Sequence, residues 1–286
     1  MVRRQEVLIS KTMNKWLFTF VAVLISAGVS PAQQSAAPAL QRSFADTIGL
    51  PGQTWTTMGN LSPIEHNNGY LQTYVEQTAT VLAADSDSIT LTPYFSLGVV
   101  LDTKGYPWNN KAQPRVGIRL NKFFHNGVVS VGIAYSYENR FNGMTSSGPT
   151  LYVQDWFGWQ SAFHKASRFP GSSWVAVGNL SPVERGNIIG QGYLSQGIVA
   201  KRFPGFLLVP YGESTVYRDS HGFDWDNKAT YGGGIKAIIP HSELYTEIGA
   251  AYLRENRFNS GNSASGLTVF MNCSFQWNLL GRKAGR

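Results

Sequence analysis

From about residue 50 onward, apolar side chains recur at every second position. Ile89, Leu91, Phe95, Leu97, Val99 and Leu101 are apolar, while Thr90, Thr92, Ser96 and Gly98 between them are polar or small. Val129, Val131, Ile133, Tyr135 and Tyr137 alternate with Ser130, Gly132, Ala134, Ser136 and Glu138. Leu267, Val269, Met271, Cys273, Phe275 and Trp277 alternate with Thr268, Asn272, Ser274 and Gln276, and Phe270 alone interrupts the polar set. Period two is the geometry of a strand whose side chains point alternately to opposite faces, so each strand has one apolar and one polar face. No comparable stretch of helical period follows residue 50. Composition agrees: charged residues make up only 14%, aromatics 13%, and glycines number 30, a mixture suited to strands and turns.

The alternating runs predict strands over 53–59, 70–83, 88–101, 113–124, 128–138 and 150–159, then 172–178, 191–202, 206–218, 230–239, 243–254 and 267–280. The connections alternate in length. Short ones follow the second and fourth strand of each set: Ala84–Asp87, His125–Gly127, Phe203–Gly205 and Pro240–Ser242. Long ones, near ten residues, follow the first, third and fifth. In an up-and-down meander every long loop then falls at one end and every tight turn at the other.

The two sets of strands are diverged copies of one unit, residues 51–163 and 170–280. Leu101–Asn142 aligns without a gap on Arg218–Asn259, a shift of 117 positions, and PGQTWTTMGNLSPIE from Pro51 matches PGSSWVAVGNLSPVE from Pro170. Self-similarity of this length is a domain present twice or half of one closed body. Because both copies keep the same up-down phase, the expectation is two halves of one barrel. The best-preserved matches fall on the long loops. Gly59–Pro63 with Glu65 returns as Gly178–Pro182 with Glu184. Asp102, Trp108, Asn110 and Lys111 return as Asp219, Trp225, Asn227 and Lys228, and Glu138 with Arg140 returns as Glu255 with Arg257. Loops usually diverge faster than the elements they join, so retained loop residues point to function or to a shared structural duty.

Residues 1–32 read as a secretory signal: Lys15 precedes the apolar run from Trp16 to Ile25, Ser30-Pro-Ala32 supplies small residues for cleavage, and Met13 is an alternative start. Residues 33–50 read as a flexible segment. The formal charge of +7 includes Arg3, Arg4, Lys11 and Lys15 of the leader, and no basic run or recognition motif points to nucleic acid. A single cysteine, Cys273, excludes an internal disulfide framework.

Strand length, loop asymmetry, an even strand count, the leader and the terminal aromatics Trp159 and Trp277 together resemble the outer-membrane β-barrels of Gram-negative bacteria. The resemblance implies an all-β, up-and-down antiparallel β-barrel of about 12 strands made of two tandem six-stranded repeats. It also implies outer-membrane lipid as its surroundings and a passive channel, receptor or scaffold role. Asp155 and Arg218 are polar interruptions of otherwise apolar faces.

The candidate binding residues are the shared rim set: Asp102, Trp108, Asn110, Lys111, Glu138, Arg140, Asp219, Trp225, Asn227, Lys228, Glu255 and Arg257. The tryptophans could stack on a glycan while Asn, Asp and Lys supply hydrogen bonds, or a small solute could be the ligand. Alternatively the Glu and Arg pair within their turns and the tryptophans pack the loops down. No nucleophile–base–acid arrangement is legible, and none of His66, His125, His164, His221 and His241 recurs between the copies. Metal-ligand spacing is also missing; Asp219, Asp224 and Asp226 cluster, but the first copy keeps only Asp102. No cofactor is expected. A soluble secreted two-module protein binding carbohydrate, and a barrel enzyme acting on lipid or cell-wall substrate, remain open alternatives.

Overall fold

The computed structural model describes residues 49–84, 88–160, 167–240 and 244–279. The leader, most of the segment before the first strand, His164, His241 and residues 161–166 at the join between the copies lie outside the described residues, as do parts of two of the four short turns. Fourteen strands form one antiparallel sheet. They are β1 (Pro51–Gly59), β2 (Tyr70–Thr78), β3 (Leu82–Ala84), β4 (Ile89–Asp102), β5 (Lys111–Phe124), β6 (Gly127–Arg140) and β7 (Thr145–Trp159), then β8 (Gly171–Gly178), β9 (Ile189–Gly197), β10 (Lys201–Phe203), β11 (Phe206–Asp219), β12 (Lys228–Pro240), β13 (Leu244–Arg257) and β14 (Ser263–Asn278).

β3 continues β2 along β4, and β10 continues β9 along β11, so the fourteen pieces make twelve staves. β1 pairs with β14 over its whole length, and this closes the sheet into a barrel. Neither copy is a body by itself, because one copy's first strand completes the other's last hairpin. The two interrupted staves differ from the unbroken strands expected over 70–83 and 191–202. Each break lies beside a proline of the next strand: Ala79 N donates to Pro93 O, and Ile198 N donates to Pro210 O. Proline has no N–H for the ladder, so pairing is disturbed there. A 3-10 turn at Asp224–Asp226 is the one helical element among the described residues.

The alternation sorts side chains between a wall facing outward and a filled interior. Val116, Ile118 and Leu120 of β5 are exposed, as are Val131, Ile133 and Tyr135 of β6, Leu151 and Val153 of β7, and Leu267 and Val269 of β14. Between them, Arg119, Asn121, Ser130, Ser136, Thr150 and Thr268 are buried. That is the reverse of a water-soluble protein, in which apolar side chains go inside. The intruding Phe270 obeys the same geometry: it points inward and meets Tyr211 edge-on at 6.1 Å, beside Ala251 and Leu253. In the first copy Tyr94, Ala134 and Tyr152 make the corresponding cluster, with Tyr152 Oη donating to Tyr94 Oη at 2.9 Å.

The interior also holds ion pairs. Arg119 grips Glu76 with two 2.7 Å hydrogen bonds, and Tyr74 donates to the same carboxylate at 2.7 Å. In the second copy Lys236, Tyr245 and Asn272 converge on Glu247 at 2.8, 2.7 and 2.7 Å. A cavity of about 40 Å³ remains beside Lys236. At the short-turn end, Trp277 and Trp159 lie over Gly52 and Gly171, and each indole donates to a glutamine, Gln77 or Gln196, at 2.8 Å. A Cβ on Gly52 would come within 2.1 Å of the Trp277 ring, so any larger residue there requires the indole to move.

Candidate functional site

The long loops join strands at one rim, and each of the shared residues has a defined place there. Asp102 and Asp219 end β4 and β11 and organise the loops that follow. Asp102 accepts from Asn110 Nδ2 and Asn109 Nδ2 at 2.9 Å each and from Tyr106 N at 3.0 Å, while Asp102 N donates to Asn110 Oδ1 at 3.0 Å. Asp219 accepts from Gly222 N at 2.6 Å, Phe223 N at 3.0 Å and Asn227 Nδ2. Asx side chains fold turns by bonding the backbone a few residues on. Asp102, Asn110, Asp219 and Asn227 are therefore occupied as loop hubs.

Those hubs project Trp108 and Trp225 toward each other. β4–β5 and β11–β12 stand six staves apart in the ring of twelve, on opposite sides of the mouth. Their indoles stack at 4.7 Å between centroids, 8° from parallel. Tyr106 covers the far face of Trp108 at 4.8 Å, and Phe223 covers the far face of Trp225 at 4.8 Å. His221 sits edge-on against Phe223. Four aromatic rings thus form a bar across the mouth, each contact worth about 0.5–1.5 kcal/mol beyond burial. Both indole N–H groups are buried without a hydrogen-bond partner among the described residues.

Glu138, Arg140, Glu255 and Arg257 are not loop residues. β6 and β13 run on through them, and the connections after these strands are 141–144 and 258–262, shorter than the ten or so residues expected. The polar stretch Thr145–Pro149 is strand, which composition concealed. Glu138 and Arg140 share a face two residues apart, with Arg140 Nε donating to Glu138 at 2.8 Å, and Arg257 Nε donates to Glu255 at 3.1 Å. Pairing within the strand is only half the arrangement. Ser181 Oγ donates to Glu138 at 2.6 Å, and Arg140 also binds Glu184, both from the first loop of the second copy. Reciprocally, Ser62 Oγ donates to Glu255 at 2.5 Å and Arg257 binds Glu65 at 2.7 Å, from the first loop of the first copy. Lys111 and Lys228 stand 3.8 Å from Glu138 and Glu255. Each copy's loop therefore clamps the other copy's strand. The carboxylates of Glu138 and Glu255 are fully buried.

Two carboxyls of this zone have no shared counterpart: Asp224, which stands 3.7 Å from Arg257 and is replaced by Pro107 in the first copy, and Asp226, replaced by Asn109. Burial above all, with the charges of Glu184 and Asp219 against those of Lys111 and Lys228, pushes the Asp226 pKa up to about 6. Ser62, Glu65, Ser181 and Glu184 belong to the site although they were not among the sequence candidates. The retained SP-x-E motif after each first strand was the signal for them. Among the described residues no His joins these carboxylates, and no group of ligands suited to a metal ion occurs.

The polar-interrupted faces keep their interruptions outward. Asp155 accepts from Val175 N at 2.9 Å on the neighbouring strand, and the Arg218 guanidinium lies 3.8 Å over the Phe258 ring. No helix among the described residues is long and apolar enough to cross a membrane. Eight strands of 13–16 residues beside four of 8–9, an apolar outer wall, a polar interior, and the long loops after β1, β4, β8 and β11 gathered at one end define a transmembrane β-barrel of the outer-membrane type.

No family model matches the sequence, and no curated protein matches it. Among solved structures, the chain is similar to the beta domain of the Bordetella autotransporter BrkA at 11% identity, covering 80% of this chain and 100% of that one, with a TM-score of 0.41. It is similar to an outer membrane channel from Pseudomonas putida F1 at 9% identity, over 87% of this chain and 100% of that one, with a TM-score of 0.45. It is also similar to the outer membrane channel DcaP of Acinetobacter baumannii at 6% identity, over 80% and 95%, with a TM-score of 0.34.

Proposed function

We propose that this outer-membrane barrel is held shut by its own rim, and that it serves as an envelope scaffold or surface receptor presenting that rim, not as an open diffusion pore. The observation that carries the reading is the Trp108–Trp225 stack, which joins opposite sides of the mouth and is flanked by two buried ionic clamps. The filled interior supports it: Glu76, Glu138 and Glu255 are completely buried inside the ring. Both faces of each indole are already covered by rings, so a sugar could stack there only after the bar opened. That argues against the rim tryptophans as a preformed glycan platform. The single closed sheet likewise argues against two separate soluble modules.

The test combines localisation with permeability. The protein should fractionate with the outer membrane and migrate faster in gels before boiling than after. Vesicles carrying it should not swell in isosmotic sugars. Rapid sugar uptake by the unaltered protein would replace the scaffold reading with an open channel.

A further inference from the structure

Inside the barrel, below the rim, the two copies balance charge differently. The first copy sets one acid, Glu76, against one base, Arg119. The second places two acids, Glu213 and Glu247, around one base, Lys236. Glu213 faces inward: it is the register partner of buried Ser195 on β9, and Tyr211 and Val209, two and four residues before it, are buried. Lys236 is committed to Glu247 at 2.8 Å. Among the described residues the Glu213 carboxylate receives one hydrogen bond, from Tyr193 Oη at 3.1 Å. Arg115, an interior cation of the first copy, is turned instead to Gln113 and the Leu180 carbonyl at 2.8 and 2.9 Å.

The first copy shows what the second has changed. The shift of 117 positions sets Ser96 in the place of Glu213 and Tyr94 in that of Tyr211. Tyr94 Oη accepts from Tyr152 Oη at 2.9 Å. Tyr152 and Phe270 each stand seven residues before the tryptophan that ends their copy, Trp159 or Trp277, so the second copy lacks that hydroxyl. The Tyr211 hydroxyl is therefore buried with no hydrogen-bond partner among the described residues, within electrostatic reach of both Glu213 and Glu247. Tyr211 is only 7% exposed. Asn272 donates to Glu247 through Nδ2, yet its Oδ1 is also buried and unpartnered. Buried polar atoms are normally satisfied, by protein, water or an ion. The cavity of about 40 Å³ beside Lys236 is also lined by Ser195 and Tyr245, and it has room for a small ion with a water or two.

We propose that the interior of the second copy binds a small monovalent cation between Glu213 and Glu247, with Tyr211 Oη as a neutral oxygen ligand. Clusters of three or more His, Cys, Asp or Glu, the sets that hold multivalent metals, do not occur among the described residues. An excess of one negative charge beside neutral oxygens matches a single hard positive charge instead. The site does not depend on whether the mouth is barred.

The experiment follows urea unfolding of the full chain from vesicles in sodium chloride and in choline chloride at matched ionic strength. A cation that binds only the folded state should lower the unfolding constant about tenfold for each tenfold rise in sodium above its dissociation constant. Choline, too large for the cavity, should leave the constant flat. Glu213→Gln removes the excess charge and should abolish the difference between the two salts. Phe270→Tyr, which restores the hydroxyl pair of the first copy, should weaken the sodium response and serves if Glu213→Gln does not fold. Equal unfolding constants in sodium and choline, or a sodium response unchanged in the folded variants, would overturn the proposal.

Discussion

The rim and the barrel interior treat the duplication in opposite ways. At the rim, Ser62, Glu65, Glu255 and Arg257 repeat the bonds of Ser181, Glu184, Glu138 and Arg140. In the interior the copies have been rebuilt. Arg119 holds Glu76 in the first copy, whereas Lys236 holds Glu247 in the second, and the position of Glu76 is occupied by Ser195. The contacts explain the contrast. Each rim clamp joins residues of both copies, so a change in one copy strands a buried charge in the other. Each interior network draws on one copy, and its acid can move from strand to strand if its base follows.

The largest expected effect is therefore at the clamps. Arg140→Ala should cost about 3–5 kcal/mol in urea unfolding from vesicles, because Glu138 and Glu184 would remain buried and unpaired. Arg257→Ala should cost a similar amount despite lying in the other copy. A large inequality between them would break the equivalence of the two clamps.

Next in size is the close approach at the short-turn end. Gly52→Ala and Gly171→Ala should each destabilise the barrel by about 1–3 kcal/mol, as overpacking does, since either Cβ would run into Trp277 or Trp159. A neutral outcome in the same unfolding assay would mean those rings can shift aside.

The smallest effect is a pH dependence confined to one copy. Asp226 has its folded pKa raised to about 6, so the folded protein holds its proton more tightly than the unfolded chain does. Its contribution to stability is complete below the ordinary aspartate range and is lost as pH rises through 6. The unfolding midpoint of the unaltered protein should thus fall on going from pH 5 to pH 7 relative to Asp226→Asn. Parallel pH profiles for the two proteins would remove Asp226 from the account.

Much of the wall was legible because outward and inward residues alternate whatever their partners are. The starts and ends of β4, β5, β11 and β12 lie within two residues of those read from alternation. The rim was legible only as a set of retained residues. Glu138 and Arg140 are close enough in sequence to suggest a pair, and they do pair, but Ser62 meets Glu255 across 193 positions. No local pattern encodes that contact; it follows from β1 closing on β14. For the same reason the Trp108–Trp225 stack could not be read before closure placed β4–β5 opposite β11–β12. Phe270, an apparent fault in its strand, fills an interior gap that only the closed barrel creates.

The claim that the rim bars the mouth is tested most directly by current across a planar bilayer. The unaltered protein should insert without a steady open-channel conductance, and the double variant Trp108→Ala, Trp225→Ala should conduct while keeping its heat-modifiable migration. A steady conductance in the unaltered protein, left unchanged by removing both tryptophans, would contradict it.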